Sequence, residues 1–500
     1  MNNSFDFSKF SRQSPKGILV IYINLIYKVI RVSWLLLFLL FKDFTKVSSK
    51  IGASYIYLGL AFLLLFLLAR AYLIYKNFQF KIAKDHFILK QGILKKTNTS
   101  ISFDRIQNIN FKQNIIQQII GVFEVSIETA GSKDTEIAIK ALPLLTAEAL
   151  KEMVSKSAEF NTKEIVDSDK KPLVRIGIKE LLKVSLTENH LQNLVLFLAI
   201  VIGFFQQIEQ IVGSLGSTEA LDGFITESTN ALSVSFFLVL ILLIFLTIIA
   251  LLSSFVKVFL IHFNLTAYLK ENAFEINQGL FTKKLIVLKK QKIQNITIST
   301  NPLKRLIGIS FITFKQAVSG KANVKKDKLI RIVGCKIAQV KTIKESLFNV
   351  TALENGEKIY LNSYYKRRLF IFSFLFIITS YSVFYLFFLQ VEIFYTTIIV
   401  FPFTTFLILK KVKKRFYKVT DAMLLVGSGL LETHLTYLEI FKVQNIKMKQ
   451  TIFQKRSNVA DIILQTASGK INIPCIRIED AIKIYNHTLY KVETSKTSWM

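Results

Sequence analysis

The sequence predicts a polytopic α-helical membrane protein, with about six helices in three pairs, that carries three small α+β domains. Three observations indicate this fold class. The 500 residues are 51% hydrophobic, with a mean hydropathy of +0.42, which is too apolar for a set of ordinary soluble domains. Several apolar runs approach the roughly 20 residues that a helix needs to cross a bilayer core. One short polar motif recurs three times between these runs.

Three apolar runs without any charged residue give the clearest predicted spans. They are residues 231–256, 369–389 and 393–409. The last two are separated only by a short polar break, so we expect them to form a helical hairpin.

Three further runs complete the predicted pairs. Residues 55–75 form a span with Arg70 near one end, where its stem can reach the interface. Residues 18–41 are interrupted by two basic residues, so this run is either a retained membrane anchor or a helix whose first half lies along the interface. The run from Leu194 is only about a dozen residues long, and it spans only if residues 206–213 continue it.

The distribution of Lys and Arg predicts the topology. The chain has 65 Lys and Arg against 34 Asp and Glu, a net charge of +31. Segments 213–230 and 390–392 contain neither Lys nor Arg, whereas segments 364–368 and 410–415 are strongly basic. Positive residues favour the cytoplasmic side, so we expect the long polar segments to be cytoplasmic. Segment 42–53, with three lysines, is an exception.

The motif [IV]-Q-N-I lies at the same distance from an upstream glycine in all three copies. Its glutamine follows that glycine by 15 residues each time (107−92, 294−279 and 444−429). An alternating strand pattern leads into each glycine. A short helical turn, a break suited to a left-handed C-cap, a second strand and an amphipathic helix follow the motif. The repeat is carried by Gly92, Gln107, Asn108 and Gly121, by Gly279, Gln294, Asn295 and Gly308, and by Gly429, Gln444, Asn445 and Asn458.

Antiparallel strands closed by one helix predict a barrel-like α+β module of roughly 80 to 90 residues in each copy. The predicted organisation is an N-terminal segment with membrane pair 1 (1–76), domain 1 (77–160), a linker with membrane pair 2 (161–260), domain 2 (261–350), membrane pair 3 (351–410) and domain 3 (411–492).

The repeated pattern resembles the bacterial pleckstrin-homology-like (PH-like) domain of the YdbS/YdbT family, and the layout of the chain is similar to the YdbT type. The features that carry the resemblance are a strand into glycine, the [IV]-Q-N-I core, a turn ending in Ile-Gly, and a strand into "TAGS" or "TASG". The third copy departs from it with "QKRSNVADI". The resemblance implies PH-like barrels capped by a helix, the bacterial cytoplasmic membrane, and a role in envelope stress or resistance to antimicrobial peptides. It does not imply phosphoinositide binding.

Two groups of residues are candidate sites. The Gln-Asn pair either contacts a ligand or, as we favour, satisfies backbone groups at a strand bend, since a structural need recurs in every copy of a fold. The lysines of the second domain form either a specific headgroup pocket or a basic surface near anionic lipid. They are Lys283, Lys284, Lys289, Lys290, Lys292, Lys325, Lys326 and Lys328.

An ionisable residue within a predicted span, Glu209, is either functional or the outer end of a helix that leaves the membrane. The five histidines and two cysteines have no spacing typical of a metal site or a catalytic triad. We therefore expect no catalytic residues, no metal, no cofactor and no nucleic acid as partner.

The leading hypothesis is a non-enzymatic membrane scaffold whose three cytoplasmic domains bind anionic phospholipid of the inner leaflet, a partner membrane protein or a second copy. The alternative is a transporter or lipid-moving protein with a polar path near Glu209.

Overall fold

A computed structural model describes most of the chain, and it divides into two compact units. Residues Ile176–Leu265 and Gln278–Leu280 form one unit, and the remaining residues form the other. The described residues are 7–42, 52–83, 86–129, 137–157, 171–188, 190, 194, 232–317, 329–348, 353, 356–388 and 395–495.

Two long helices precede the first repeat, which we call module 1. In chain order these elements are α1 (Gly17–Lys42), α2 (Ala53–Asn77), β1 (Gln79–Ala83), β2 (His86–Gln91), β3 (Thr97–Ser102), β4 (Ile106–Gln113), α3 (Ile115–Ile120), β5 (Val122–Thr129), β6 (Ile137–Pro143) and α4 (Leu144–Ser157).

Module 2 has the same order of elements after a short strand and a long helix. The elements are β7 (Val174–Arg175), α5 (Ile178–Thr187), α6 (Leu232–His262), β8 (Thr266–Leu269), β9 (Ala273–Gln278), β10 (Lys283–Lys289), β11 (Ile293–Thr300), α7 (Pro302–Ile307), β12 (Ile309–Gln316), β13 (Ile330–Lys336) and α8 (Ile337–Leu347).

Module 3 follows the last helix pair. Its region comprises β14 (Ile359–Tyr360), α9 (Ser363–Phe388), α10 (Thr397–Lys413), β15 (Phe416–Val419), β16 (Met423–Gly429), β17 (Thr433–Glu439), β18 (Val443–Lys449), α11 (Ile452–Arg456), β19 (Val459–Thr466), β20 (Gly469–Arg477) and α12 (Ile478–Thr494).

Within the described residues, four helices contain a segment long and apolar enough to cross a membrane. These segments are Gly17–Trp34, Ser54–Asn77, Ile244–His262 and Ser363–Leu386. The helix α1 covers residues 18–41 without a break. The helix α10 packs against α9 but has 17 residues and an internal proline. The predicted span from Leu194, together with Glu209, lies outside the described residues apart from Leu194 itself. Six helices therefore stay a prediction.

Each module begins before its helix pair, which the predicted boundaries did not include. The backbone of Ser11 bridges to Phe80 on β1, β7 pairs with β8, and β14 pairs with β15. Phe7 also packs into the core of module 1, with its ring 6.2 Å from that of Phe80. A single bridge and two-residue strands carry no detectable periodicity, so the predicted boundaries placed these residues in the N-terminal segment, the linker and membrane pair 3. The described helices α1 and α2, α5 and α6, and α9 and α10 thus lie in the chain between the first paired segment of their module and its main strands.

The modules share their sheets, and this was not predicted. The described strands form four antiparallel sheets, in the orders β1-β2-β3, β6-β5-β4-β10-β9-β8-β7, β13-β12-β11-β17-β16-β15-β14 and β18-β19-β20. Each module therefore contributes its first three main strands to one sheet and its last three to the next. Neighbouring modules are joined where β4 pairs with β10, which we call junction 1, and where β11 pairs with β17, junction 2.

The motif glutamine marks a break in the strand register in every module. The pairing shifts between Ile106 and Asn108, between Ile293 and Asn295, and between Val443 and Asn445. The skipped residue in each case is the glutamine, which is the extra residue of a β-bulge. A bulge re-aims the strand, which lets one continuous segment leave the first half of the module and enter the second.

The upstream glycines occupy the turn for which only glycine is suited. Gly92, Gly279 and Gly429 have φ values of 115°, 109° and 124°, a region that residues with a Cβ rarely adopt. A Cβ on Gly429 would also overlap the carbonyl oxygen of Glu432. The glycine therefore fixes the hairpin between the second and third main strands of each module.

Candidate functional site

Each of these hairpins carries an exposed apolar residue two positions after its glycine. The residues are Leu94, Phe281 and Leu431, and Leu94 is 100% exposed. We call residues 92–96, 279–282 and 429–432 the hairpin tips. Apolar side chains at equivalent exposed positions in three copies indicate a common apolar environment.

The hairpin tips contact the ends of the membrane helices that precede them. In module 1, Leu94 and Leu73 of α2 line one cavity of about 770 Å³, together with Arg70. In module 2, the backbone N–H of Leu280 donates to the carbonyl of Leu260 at the end of α6, at 3.0 Å. In module 3, the ammonium of Lys414, which follows α10, donates to the carbonyl of Leu431 at 2.6 Å. The tips therefore lie beside the C-terminal ends of these helices.

The short helices α3, α7 and α11 form a second part of the same surface. Each has an N-cap side chain that accepts from the backbone N–H three residues later: Asn114, Asn301 and Thr451. Helices of five or six residues are not stable alone, so these caps matter for their formation. Each helix exposes large apolar side chains. These are Ile115 and Ile119 on α3, Leu303, Leu306 and Ile307 on α7, and Ile452 and Phe453 on α11.

Contacts place two of the short helices beside membrane helices as well. Lys16, next to the start of α1, donates to the carbonyl of Ile120 at 2.9 Å. Arg368, in the second turn of α9, donates to Asp461 at 3.2 Å, and Asp461 also accepts from Gln454 of α11 at 2.8 Å. We call the hairpin tips and short helices together the membrane-facing rim. The sequence predicted the turn glycines and the short helical turns as structural elements but neither half of this rim as a site, although a capping box followed by apolar residues was a usable signal.

A juxtamembrane helix in the other unit was also missed. The helix α5 packs against α6, and His190 just after α5 bonds to Ser254 of α6 at 2.7 Å. Its outer face exposes Ile178, Leu182 and Leu186, with a spacing of four residues that places them on one stripe. Such a stripe between lysines is typical of a helix lying in a membrane interface.

The predicted lysine cluster divides into three parts. Lys283 and Lys284 lie on β10 in junction 1, opposite Gln113 and Lys112. Lys289 ends β10, and Lys290 and Lys292 occupy the following turn, where burial lowers the pKa of Lys290. Lys325, Lys326 and Lys328 lie outside the described residues. The structure therefore places part of the cluster at a contact between modules.

The motif amides differ in burial from one copy to another. Gln294 and Asn295 are each 1% exposed in junction 2, and the side-chain N–H of Asn295 donates to Ser468 of module 3 at 2.6 Å. Gln444 and Asn445 are exposed. The same motif is thus buried where a neighbouring module is docked.

Junction 2 also holds a buried ion pair. The ammonium of Lys304 on α7 lies 2.6 Å from the carboxylate of Glu432 on the next hairpin tip, and 3.6 Å from the centre of the Phe311 ring. Lys304 is 1% exposed. Its equivalents in the other modules are Gln117 and Gln454, at the same position after the N-cap. A buried charge needs a counter-charge, so this pair ties the membrane-facing rim to the docking of module 3.

His434 lies beside this ion pair. Its ring Nδ1 is 2.9 Å from the hydroxyl of Ser299 on β11, across the junction. Burial lowers the pKa of His434; the Glu432 carboxylate acts in the opposite direction, and nearby cations such as Lys304 add to the lowering. The surroundings of His434 therefore disfavour its protonated form.

The fold and the membrane-facing rim define a class: an α-helical membrane protein whose helices alternate with small antiparallel PH-like modules. The bacterial PH domain family matches residues 32–158, 199–350 and 373–492. The chain therefore belongs to this family, which confirms the resemblance found in the repeats.

A particular relative shares this layout. The chain is similar to the UPF0699 transmembrane protein YdbT of Bacillus subtilis (strain 168), with 23% identity over 314 residues. The match covers 60% of this chain and 62% of that protein, which is less than two thirds of its length. No solved structure matches the chain.

Replacing Glu432 by Gln is expected to destabilise junction 2 by about 3 kcal/mol, because it removes the carboxylate that faces the buried Lys304 ammonium. The double substitution Lys304→Gln and Glu432→Gln is expected to recover most of the lost stability. Glutamine already occupies the position of Lys304 in the other two modules. Thermal unfolding and limited proteolysis of the full chain in detergent measure both. Equal stability of Glu432→Gln and the unmodified chain would contradict the role given to this pair.

Acidification is expected to weaken junction 2 through His434. Because its folded pKa lies below the unfolded value of about 6.5, the unfolded state binds more protons, and stability falls as the pH drops below that value. The thermal midpoint of the full chain, measured between pH 8 and pH 5, should decrease less in His434→Gln than in the unmodified chain. The same decrease in both chains would assign the pH dependence to other groups.

Proposed function

We propose that the protein is a non-enzymatic integral membrane scaffold, whose three PH-like modules lie on the cytoplasmic leaflet and bind anionic phospholipid there. The observation that carries the proposal is the membrane-facing rim, where equivalent apolar residues in three modules are exposed at the ends of membrane helices. A role in envelope stress or resistance to antimicrobial peptides is part of the proposal and rests on the family resemblance.

The rim can supply a substantial binding energy. Moving a Leu, Ile or Phe side chain from water into an apolar environment gains about 1.5–3 kcal/mol, and each lysine near an anionic surface adds about 1 kcal/mol. Leu94, Leu306 and Phe453, with their neighbours in the rim, are exposed. Embedding them would hold each module flat against the leaflet and restrict its rotation about the helix pair.

The distribution of positive charge also supports a cytoplasmic position for the modules. The last turn of α10 contains Lys410, Lys411 and Lys413, and the positive residues of membrane proteins are concentrated in cytoplasmic segments. The transporter alternative depends on Glu209, which lies outside the described residues. An undiminished resistance or transport phenotype in Glu209→Gln, at normal expression, would favour the scaffold.

Tryptophan fluorescence tests the contact between the rim and lipid. In a chain with Trp34→Phe and Trp499→Phe, we expect Phe281→Trp to be quenched by brominated phospholipid, because the hairpin tip lies within the interface. Glu271→Trp is the matched control, since residue 271 precedes β9 while residue 281 follows it, roughly 20 Å away along the strand. Equal quenching at the two positions would contradict the rim as the lipid contact.

Cysteine labelling tests the side of the membrane. A membrane-impermeant maleimide should label Tyr395→Cys, just before α10, in intact cells, and Glu271→Cys only after permeabilisation. The native thiols give little background, because burial raises the pKa of Cys335 to about 12 and that of Cys475 to about 11, and the thiolate is the reactive form. Labelling of position 271 from outside would reject the cytoplasmic placement.

A further inference from the structure

Two of the edge strands of the described sheets are equivalent to strands that are docked elsewhere. Among the described strands, β3 and β18 each have a partner on one side only. The strand β3 occupies in module 1 the position of β10 and β17, which dock onto a preceding module. The strand β18 occupies in module 3 the position of β4 and β11, which receive a following module. The two ends therefore have complementary roles.

Burial along these strands follows docking. In β11, seven of the eight residues are buried. In β18 only Val443 and Ile446 are buried, and the rest of the strand, including Met448, is exposed. In β3 only Ile101 is buried, against two residues in each of the docked strands β10 and β17. The ends of the array thus present the surfaces that the two junctions cover.

Both junctions use the same register. The motif asparagine faces the residue nine positions after the turn glycine: Asn108 faces Leu288 (288−279), and Asn295 faces Leu438 (438−429). The residue at the corresponding position of module 1 is Ile101 (101−92). A recurring register shows that the junction is a property of the repeat rather than of one pair of sequences.

We propose that β18 of one copy pairs antiparallel with β3 of a second copy, so that the chain assembles head to tail in the membrane. The shared register of the two junctions places Asn445 opposite Ile101, Lys447 opposite Thr99, and Met448 opposite Asn98. Strand addition of this kind satisfies the exposed backbone groups of both edges. Within one chain, covalent linkage keeps neighbouring modules close enough to pair. Between copies, confinement to the membrane raises the local concentration and favours the same kind of contact.

The charges of β18 are compatible with this pairing. Lysines on an edge strand commonly protect it against association, and Lys447 and Lys449 are exposed. However, Lys449 occupies the position of Lys112, which lies inside junction 1 opposite Lys284. In the proposed pair the two lysines of β18 face threonines of β3, which carry no charge. The contact therefore meets less repulsion than junction 1 tolerates.

Disulfide trapping between two differently tagged copies tests the proposal. One copy carries Met448→Cys and the other carries Asn98→Cys, and both are co-expressed as full chains. We expect an oxidised heterodimer in native membranes, because facing residues of an antiparallel pair bring their Cβ atoms within disulfide range. The matched control replaces Met448→Cys by Lys447→Cys, whose side chain points to the opposite face, and it should give at least about fivefold less product.

A charge introduced on the opposite strand supplies a second measurement. When the second copy carries Asn98→Cys, adding Thr99→Glu is expected to raise the heterodimer yield and adding Thr99→Lys to lower it, each by about two- to fivefold, through the charge of Lys447. The proposal is overturned if the two cysteine pairs crosslink equally, if neither crosslinks while both copies are inserted at normal levels, or if the thiol introduced at position 448 couples to a different protein.

Discussion

The pairing of edge strands between modules is the constraint on which the rest of the structure depends. A strand edge presents unpaired N–H and carbonyl groups, and burying or pairing them is a strict requirement of folding. Here β4 and β11 are paired by β10 and β17 of the next module. Three small modules thereby become one array, and the inner module holds both of its neighbours.

This constraint explains why the motif recurs within the chain while its surroundings differ. The glutamine is the bulge residue that redirects the strand, and the upstream glycine fixes the hairpin that reaches the neighbouring module. Junction 2 adds a buried ion pair between Lys304 and Glu432, whereas Gln117 and Gln454 occupy the position of the lysine in the other modules. The same backbone contact therefore accommodates different side chains.

The array also organises the membrane contact. A helix pair is inserted between the first paired segment and the main sheet of modules 1 and 3, so each of these modules holds both ends of its helix pair. The hairpin tips and short helices lie beside those helix ends, with Leu94 and Phe453 among their exposed apolar residues. The proposed contact with a second copy uses two of the edge strands that remain, β3 and β18.

The sequence by itself determined the local features: the apolar spans, the repeat of 15 residues between glycine and glutamine, the turn at Gly429, and the membership of the family. These follow from periodicity and from the conformational limits of single residues, which act over a few positions. Only the tertiary structure shows that modules share sheets, and that Lys284 lies in a junction while Gln444 is exposed. It also shows that Val174 pairs with a strand of module 2, although the described helices α5 and α6 separate them in the chain. Asn108 and Leu288 pair across 180 positions (288−108). Such pairing leaves no local pattern, because a strand edge offers the same backbone groups whichever partner it meets.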